Sequence, residues 1–141
     1  MSDPSFVSTL IAIALIPVAI LFTYSYLSGR KGWKHHRLTA TIAISWDLTI
    51  SLGYMALRSF GGEVGDSDLE LTGGVLAYFI IHGILASIVI LLEFLTLYLG
   101  WSRGKGKEIG KWHGKVSNVL FALWWATFLS GEVFYVVHYL L

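Results

Sequence analysis

Apolar residues in this chain gather into four long runs separated by three short polar connections. The runs cover roughly residues 6–27, 38–57, 75–99 and 116–139, each near the about 20 residues a helix needs to cross the hydrocarbon core of a bilayer. Short connections favour antiparallel neighbours. The pattern therefore predicts one all-α domain over residues 1–141, an integral membrane antiparallel four-helix bundle. Pro17 falls inside the first run, where neighbouring groups in a bundle recover the lost backbone bond. No basic segment precedes that run and it is too long for a signal-peptide core, so a retained helix is expected.

Charge sorts by connection. Residues 29–37 carry Arg30, Lys31, Lys34 and Arg37, and residues 103–111 carry Arg103, Lys105, Lys107 and Lys111. The middle connection carries Glu63, Asp66, Asp68 and Glu70. Basic connections stay on the cytoplasmic side, which predicts a multi-pass protein of the cell membrane with both termini outside. The 103–111 stretch lacks the Gly-Lys-Ser/Thr ending of a phosphate loop and is expected to be a flexible cytosolic connection.

Composition sharpens this picture. The chain is 55% hydrophobic and 13% charged, against about a quarter charged in soluble domains, so the lipid bilayer is its first partner. Cysteine is absent, which excludes disulfides, thiolate metal sites and iron–sulfur clusters. Any metal or heme must be held by His, Met, carboxylate or backbone. No basic-aromatic patch points to nucleic acid.

Against this background Asp47, His82, Glu93 and Glu132 stand out, each well inside an apolar run. Ionisable residues at membrane depth are rare unless they face the bundle interior with a partner or cofactor. Counted inward from the outer surface at about 1.5 Å per residue, Asp47, His82 and Glu132 each fall roughly 10–20 Å deep. They form an outer-to-middle group with His138. His36 and His113 open the second and fourth runs and, with Glu93, form an inner group to which His35 is an alternative member.

Two imidazoles from facing helices would ligate heme b. The axial pair is His36 with His113, or His82 with His138, the latter mismatched in depth by about 10 Å for regular helices. Gly53, Gly73, Gly74, Gly83, Gly114 and Gly131 would make room for the macrocycle. Alternatively Asp47, His82 and Glu132 would hold a single transition-metal ion, copper, iron or zinc, with an acid as general base of a membrane enzyme. Thr96 stands where a di-iron bundle would place histidine after Glu93, and no His-Glu-x-x-His occurs. The plainer readings are interfacial histidines, core hydrogen bonding or a proton path through Glu93 and the other acids. The aromatic residues crowding the fourth run, Trp112, Phe121, Trp124, Trp125, Phe128, Phe134 and Tyr135, suit packing and interface anchoring, or a heme or quinone pocket.

The segments His36-Arg37-Leu38, His82-Gly83-Ile84-Leu85-Ala86 and His113-Gly114-Lys115, with Trp124-Trp125, Gly131 and Tyr135, resemble a four-helix membrane family. It is the domain-of-unknown-function family 420, linked to respiratory heme-copper oxidase assembly. The chain departs from it at residues 54–58, where the family has a histidine, and at Asp47, where the family has an apolar residue. The entry segments are also similar to small b-type cytochromes. Both resemblances imply respiratory redox chemistry, as electron transfer or oxidase cofactor assembly, with oxidase subunits or a quinone as partners.

Overall fold

The computed structural model describes residues 6–60 and 73–137. The acidic connection and His138 lie outside the described residues. Four α-helices follow in order: α1 Phe6–Arg30, α2 His36–Phe60, α3 Gly73–Gly104 and α4 His113–Tyr135, with a 3₁₀ turn at Glu108–Trp112 leading into α4. α1 continues through Pro17 without interruption. The helices pack α1 on α2 and α3 on α4, and the ring closes through α1–α4 and α2–α3 contacts. α1 and α3 therefore sit on one diagonal of the bundle, and α2 and α4 on the other.

The bundle is apolar outside as well as inside. Val18, Phe22, Ala43, Ile44, Leu48, Val89, Ile90, Leu120 and Trp124 form the core. Yet mid-helix Ile20 and Leu91 are 69% and 70% exposed. Such surfaces suit lipid. Three segments are long and apolar enough to cross a membrane: Thr9–Arg30, Gly73–Gly104 and Glu108–Tyr135. α2 matches α1 in length but interrupts its apolar positions with Thr39, Thr41, Thr49 and Asp47. The three threonine hydroxyls donate to carbonyls within or just before α2, which satisfies them without a neighbouring helix.

Both basic connections are tightly built, and this corrects the expectation of a flexible 103–111 stretch. α1 ends where Trp33 N–H donates to the Ser28 carbonyl and Gly32 N–H to that of Gly29, with Gly32 at φ 70°. α3 ends the same way, through Lys107 to Ser102 and Gly106 to Arg103, with Gly106 at φ 75°. This left-handed glycine termination turns the chain sharply and satisfies the last carbonyls. α3 thereby runs five residues past the expected end of its apolar run, and the 3₁₀ turn folds back on it. Gly110 is buried so close to Arg103 that a Cβ would lie 2.4 Å from the Arg103 backbone. Gly110→Ala is accordingly expected to destabilise the protein by about 1–3 kcal/mol, read as a lower thermal midpoint in detergent.

Aromatic and basic side chains alternate around this end. Arg37 lies over the Trp101 ring at 4.0 Å, Lys31 over Trp33 at 5.0 Å and Lys115 over Trp112 at 4.9 Å. Trp33, Trp101 and Trp112 are all exposed, as in an interfacial belt.

Candidate functional site

Between the basic ends of the four helices lies a cavity of about 500 Å³. That falls within the about 300–1,000 Å³ of small-molecule and cofactor sites. Its two imidazoles come from the same diagonal: His36 is the first residue of α2 and His113 the first of α4. Their ring centres are 6.2 Å apart with planes 63° to one another.

The other diagonal orients them. His36 Nδ1–H donates to the Ser25 carbonyl of α1 at 2.8 Å, and His113 Nδ1–H to the Thr96 carbonyl of α3 at 3.2 Å. A carbonyl only accepts, which assigns the proton to Nδ1 and leaves Nε2 as the lone-pair nitrogen. Ser28 Oγ, 3.3 Å from His36 Nδ1, also donates to the Ser25 carbonyl, at 2.8 Å. A backbone carbonyl behind the imidazole is how metal-ligating histidines are commonly fixed in tautomer and orientation.

Glycine clears the space for each ring. A Cβ at Gly29, four residues after Ser25, would meet His36 Cε1 at 2.5 Å. One at Gly100, four residues after Thr96, would meet His113 Cε1 at 3.1 Å. Each half of the bundle thus repeats one device: a hydroxyl residue whose carbonyl holds the imidazole, and a glycine one turn on that makes way for it. Sequence reasoning missed both glycines. Of the six it named, only Gly131 has a histidine within 4 Å of the Cβ position.

The cavity is apolar at its inner end, where Phe22, Ile44 and Leu120 line it, and cationic at its mouth, where Arg30, Arg37 and Arg103 stand. Arg30 Nη1 donates to Asn118 Oδ1 at 3.2 Å. Among the described residues none of the three arginines has a carboxylate within ion-pair distance. Among the described residues the ion pair is Lys111–Glu108, at 3.2 Å. The mouth is therefore short of negative charge, and an anionic ligand would supply it.

His35 turns away from this cavity. Its ring stacks on Tyr24, and Tyr24 Oη lies 2.6 Å from its Nε2.

The remaining site residues divide differently from the depth count. Asp47 does not join His82 and Glu132; its carboxyl group reaches that of Glu93 between α2 and α3. Because α3 runs on to Gly104, Glu93 lies eleven residues from the basic end of its helix, and Asp47 lies eleven residues after His36. The two acids are therefore level with each other. His82 and Glu132 instead line a second cavity of about 160 Å³ near the opposite end, with Tyr54, Tyr78 and Gly131. His82 Nδ1 is 2.7 Å from Ser130 Oγ, whose own hydrogen goes to the Thr127 carbonyl at 2.8 Å. Nδ1 is thus the donor here too. A Cβ at Gly131 would lie 3.2 Å from His82 Cε1, a third use of glycine against an imidazole. Tyr78 Oη also bonds the Ser130 carbonyl. Among the described residues no three His, Cys, Asp or Glu side chains converge to hold a metal ion. The Asp47–His82–Glu132 triad is therefore not assembled.

No family model, curated protein or solved structure matches the chain. The functional reading rests on the geometry of its own residues.

Proposed function

We propose that the protein is a membrane b-type cytochrome, an electron carrier that holds one heme between His36 and His113. The observation that carries this reading is the His36–His113 spacing. Two imidazoles on opposite sides of one ion, each bonded at about 2.0–2.1 Å, have ring centres roughly 6.3 Å apart; here they are 6.2 Å apart. Heme also suits the rest of the cavity. Its macrocycle is flat and apolar, matching Phe22, Ile44 and Leu120, and its two propionates are anionic, matching Arg30, Arg37 and Arg103.

When bound, heme supplies one-electron redox chemistry. The chain's own residues do the rest. His36 and His113 would both hold the heme, a donor set that favours electron transfer over oxygen chemistry. Carbonyls of Ser25 and Thr96 hold the imidazoles rigid, so little reorganises when the iron changes charge.

The positive-inside distribution supports a cytoplasmic side for Arg30, Arg37 and Arg103 in a four-span protein of the cell membrane with both termini outside. The resemblances in the sequence favour a respiratory setting, with a quinone or oxidase subunits as redox partners.

The test is an absorption spectrum of detergent-purified protein, oxidised and then reduced, with heme quantified chemically. A Soret band, sharp reduced bands and one non-covalent heme per inner site are expected. Colourless protein that takes up no added hemin would overturn the reading.

A further inference from the structure

Asp47 and Glu93 occupy the dry middle of the bundle and have nothing to do with holding a heme. Asp47 is 3% exposed and Glu93 is fully buried. Neither Glu93 oxygen meets a hydrogen-bond donor. What Glu93 meets is the carboxyl group of Asp47, another acceptor. Two ionised carboxylates cannot stay facing each other in a low-dielectric interior, since both desolvation and mutual repulsion oppose it. A proton between them removes the repulsion, because one acid then donates to the other, and the pair keeps one negative charge that a second proton can neutralise.

Among the described residues no other ionisable group lies at their level to balance them. α1 has no ionisable side chain between Phe6 and Thr23, and α4 has none between Val116 and Gly131. Between Arg37 and Tyr54 on α2 there is only Asp47, and between His82 and Tyr98 on α3 only Glu93. Toward the basic end the charged and titratable groups around the cavity are Tyr26, Arg30, His36, Arg37, Arg103 and His113, while Tyr98 on α3 is exposed.

The pair is also well placed to sense that cavity. Ile44, at its inner end, is three residues from Asp47 on α2, and Thr96, in its wall, is three residues from Glu93 on α3. Each separation is about one helical turn. Thr96 itself is 6% exposed and its Oγ1 has no partner, while its carbonyl holds His113. A third buried, unpartnered polar atom thus lies between the acid pair and the cavity wall.

We propose that Asp47 and Glu93 form an intramembrane proton site that takes up one proton when the neighbouring heme is reduced. This rests on the heme reading above. An electron delivered by a one-electron reductant removes one positive charge from the bundle interior. The pair restores it with one proton drawn from water through the basic-end cavity past Thr96. On reoxidation the electron and the proton both leave. The protein would then act as a proton-coupled electron carrier, and Asp47 and Glu93 would set its potential without touching the iron.

The experiment is a redox titration of heme-loaded protein, with dithionite and mediators, across a range of pH, for wild type, Glu93→Gln and Asp47→Asn. Each unit of pH is expected to shift the wild-type equilibrium constant tenfold toward the oxidised form, about 59 mV for one electron, within the range where the pair titrates. Both amide variants should lose that slope while keeping the wild-type absorption spectrum. A pH-independent wild-type potential, or a slope retained in both variants, would overturn the proposal. An infrared spectrum separates failure of the pair from failure of the heme reading, because it needs no heme. A protonated-carboxyl band that shifts in deuterated water and disappears in Glu93→Gln supports the proton site even in heme-free protein. If the band is absent the proposal is wrong, and if sodium or calcium ions abolish it the pair is a cation site and the proposal is wrong as well.

Discussion

Replacing either His36 or His113 by alanine is expected to strip the protein of its heme, lowering affinity by at least about a hundredfold. On the heme reading each imidazole supplies one of two bonds to the iron, and among the described residues the cavity offers no substitute ligand. Cysteine is absent, Met55 does not line the cavity, and His35 is engaged with Tyr24 outside it. The two variants should behave alike, because the two halves of the site are built alike. His35→Ala and His82→Ala should keep the inner heme, the first because its ring faces outward and the second because it lines the other cavity. Heme content per mole of purified chain decides the matter. Unchanged content in either inner variant would remove that histidine from the ligand set.

A second large effect is expected from a single methyl group. Gly29→Ala places a Cβ 2.5 Å from His36 Cε1, closer than any real contact, and the ring is held from behind by the Ser25 carbonyl. The imidazole must leave its position or the helices must part, at a cost of about 1–3 kcal/mol. That corresponds to a loss of heme affinity of roughly 5- to 150-fold. Gly100→Ala makes the equivalent contact with His113 at 3.1 Å, which a shift of a few tenths of an ångström relieves. It should retain heme with a slightly displaced spectrum. Hemin titration of both variants checks the ordering; equal and negligible effects would show that the glycines are not there for the imidazoles.

The four helices and their approximate ends were legible because apolar runs of membrane length leave little choice of structure. The juxtaposition of His36 and His113 was legible for a related reason. Both open a helix at the basic end, so antiparallel packing alone brings them to one level. Depth misled where helix length was misjudged. With α3 taken to end near Leu99, Glu93 looked shallow; the turn closed by Gly106 carries α3 to Gly104 and puts Glu93 level with Asp47. Rotation about the helix axis was not legible at all. It decides that Asp47 meets Glu93 rather than His82, and that Gly29 and Gly100, rather than Gly53 or Gly83, face the imidazoles. One signal for those glycines was present, the spacing Ser25-x-x-x-Gly29 and Thr96-x-x-x-Gly100, a small-residue pattern typical of close helix approach in membranes.

The central claim is that two imidazoles share one iron. The most direct measurement is the coordination state of the ferric protein, by low-temperature electron paramagnetic resonance on the purified, heme-loaded chain. A low-spin signal of two-imidazole ligation is expected, replaced by a high-spin signal or lost with the heme in His36→Ala and in His113→Ala. A high-spin ferric wild type, or a low-spin signal that survives in both variants, would contradict it.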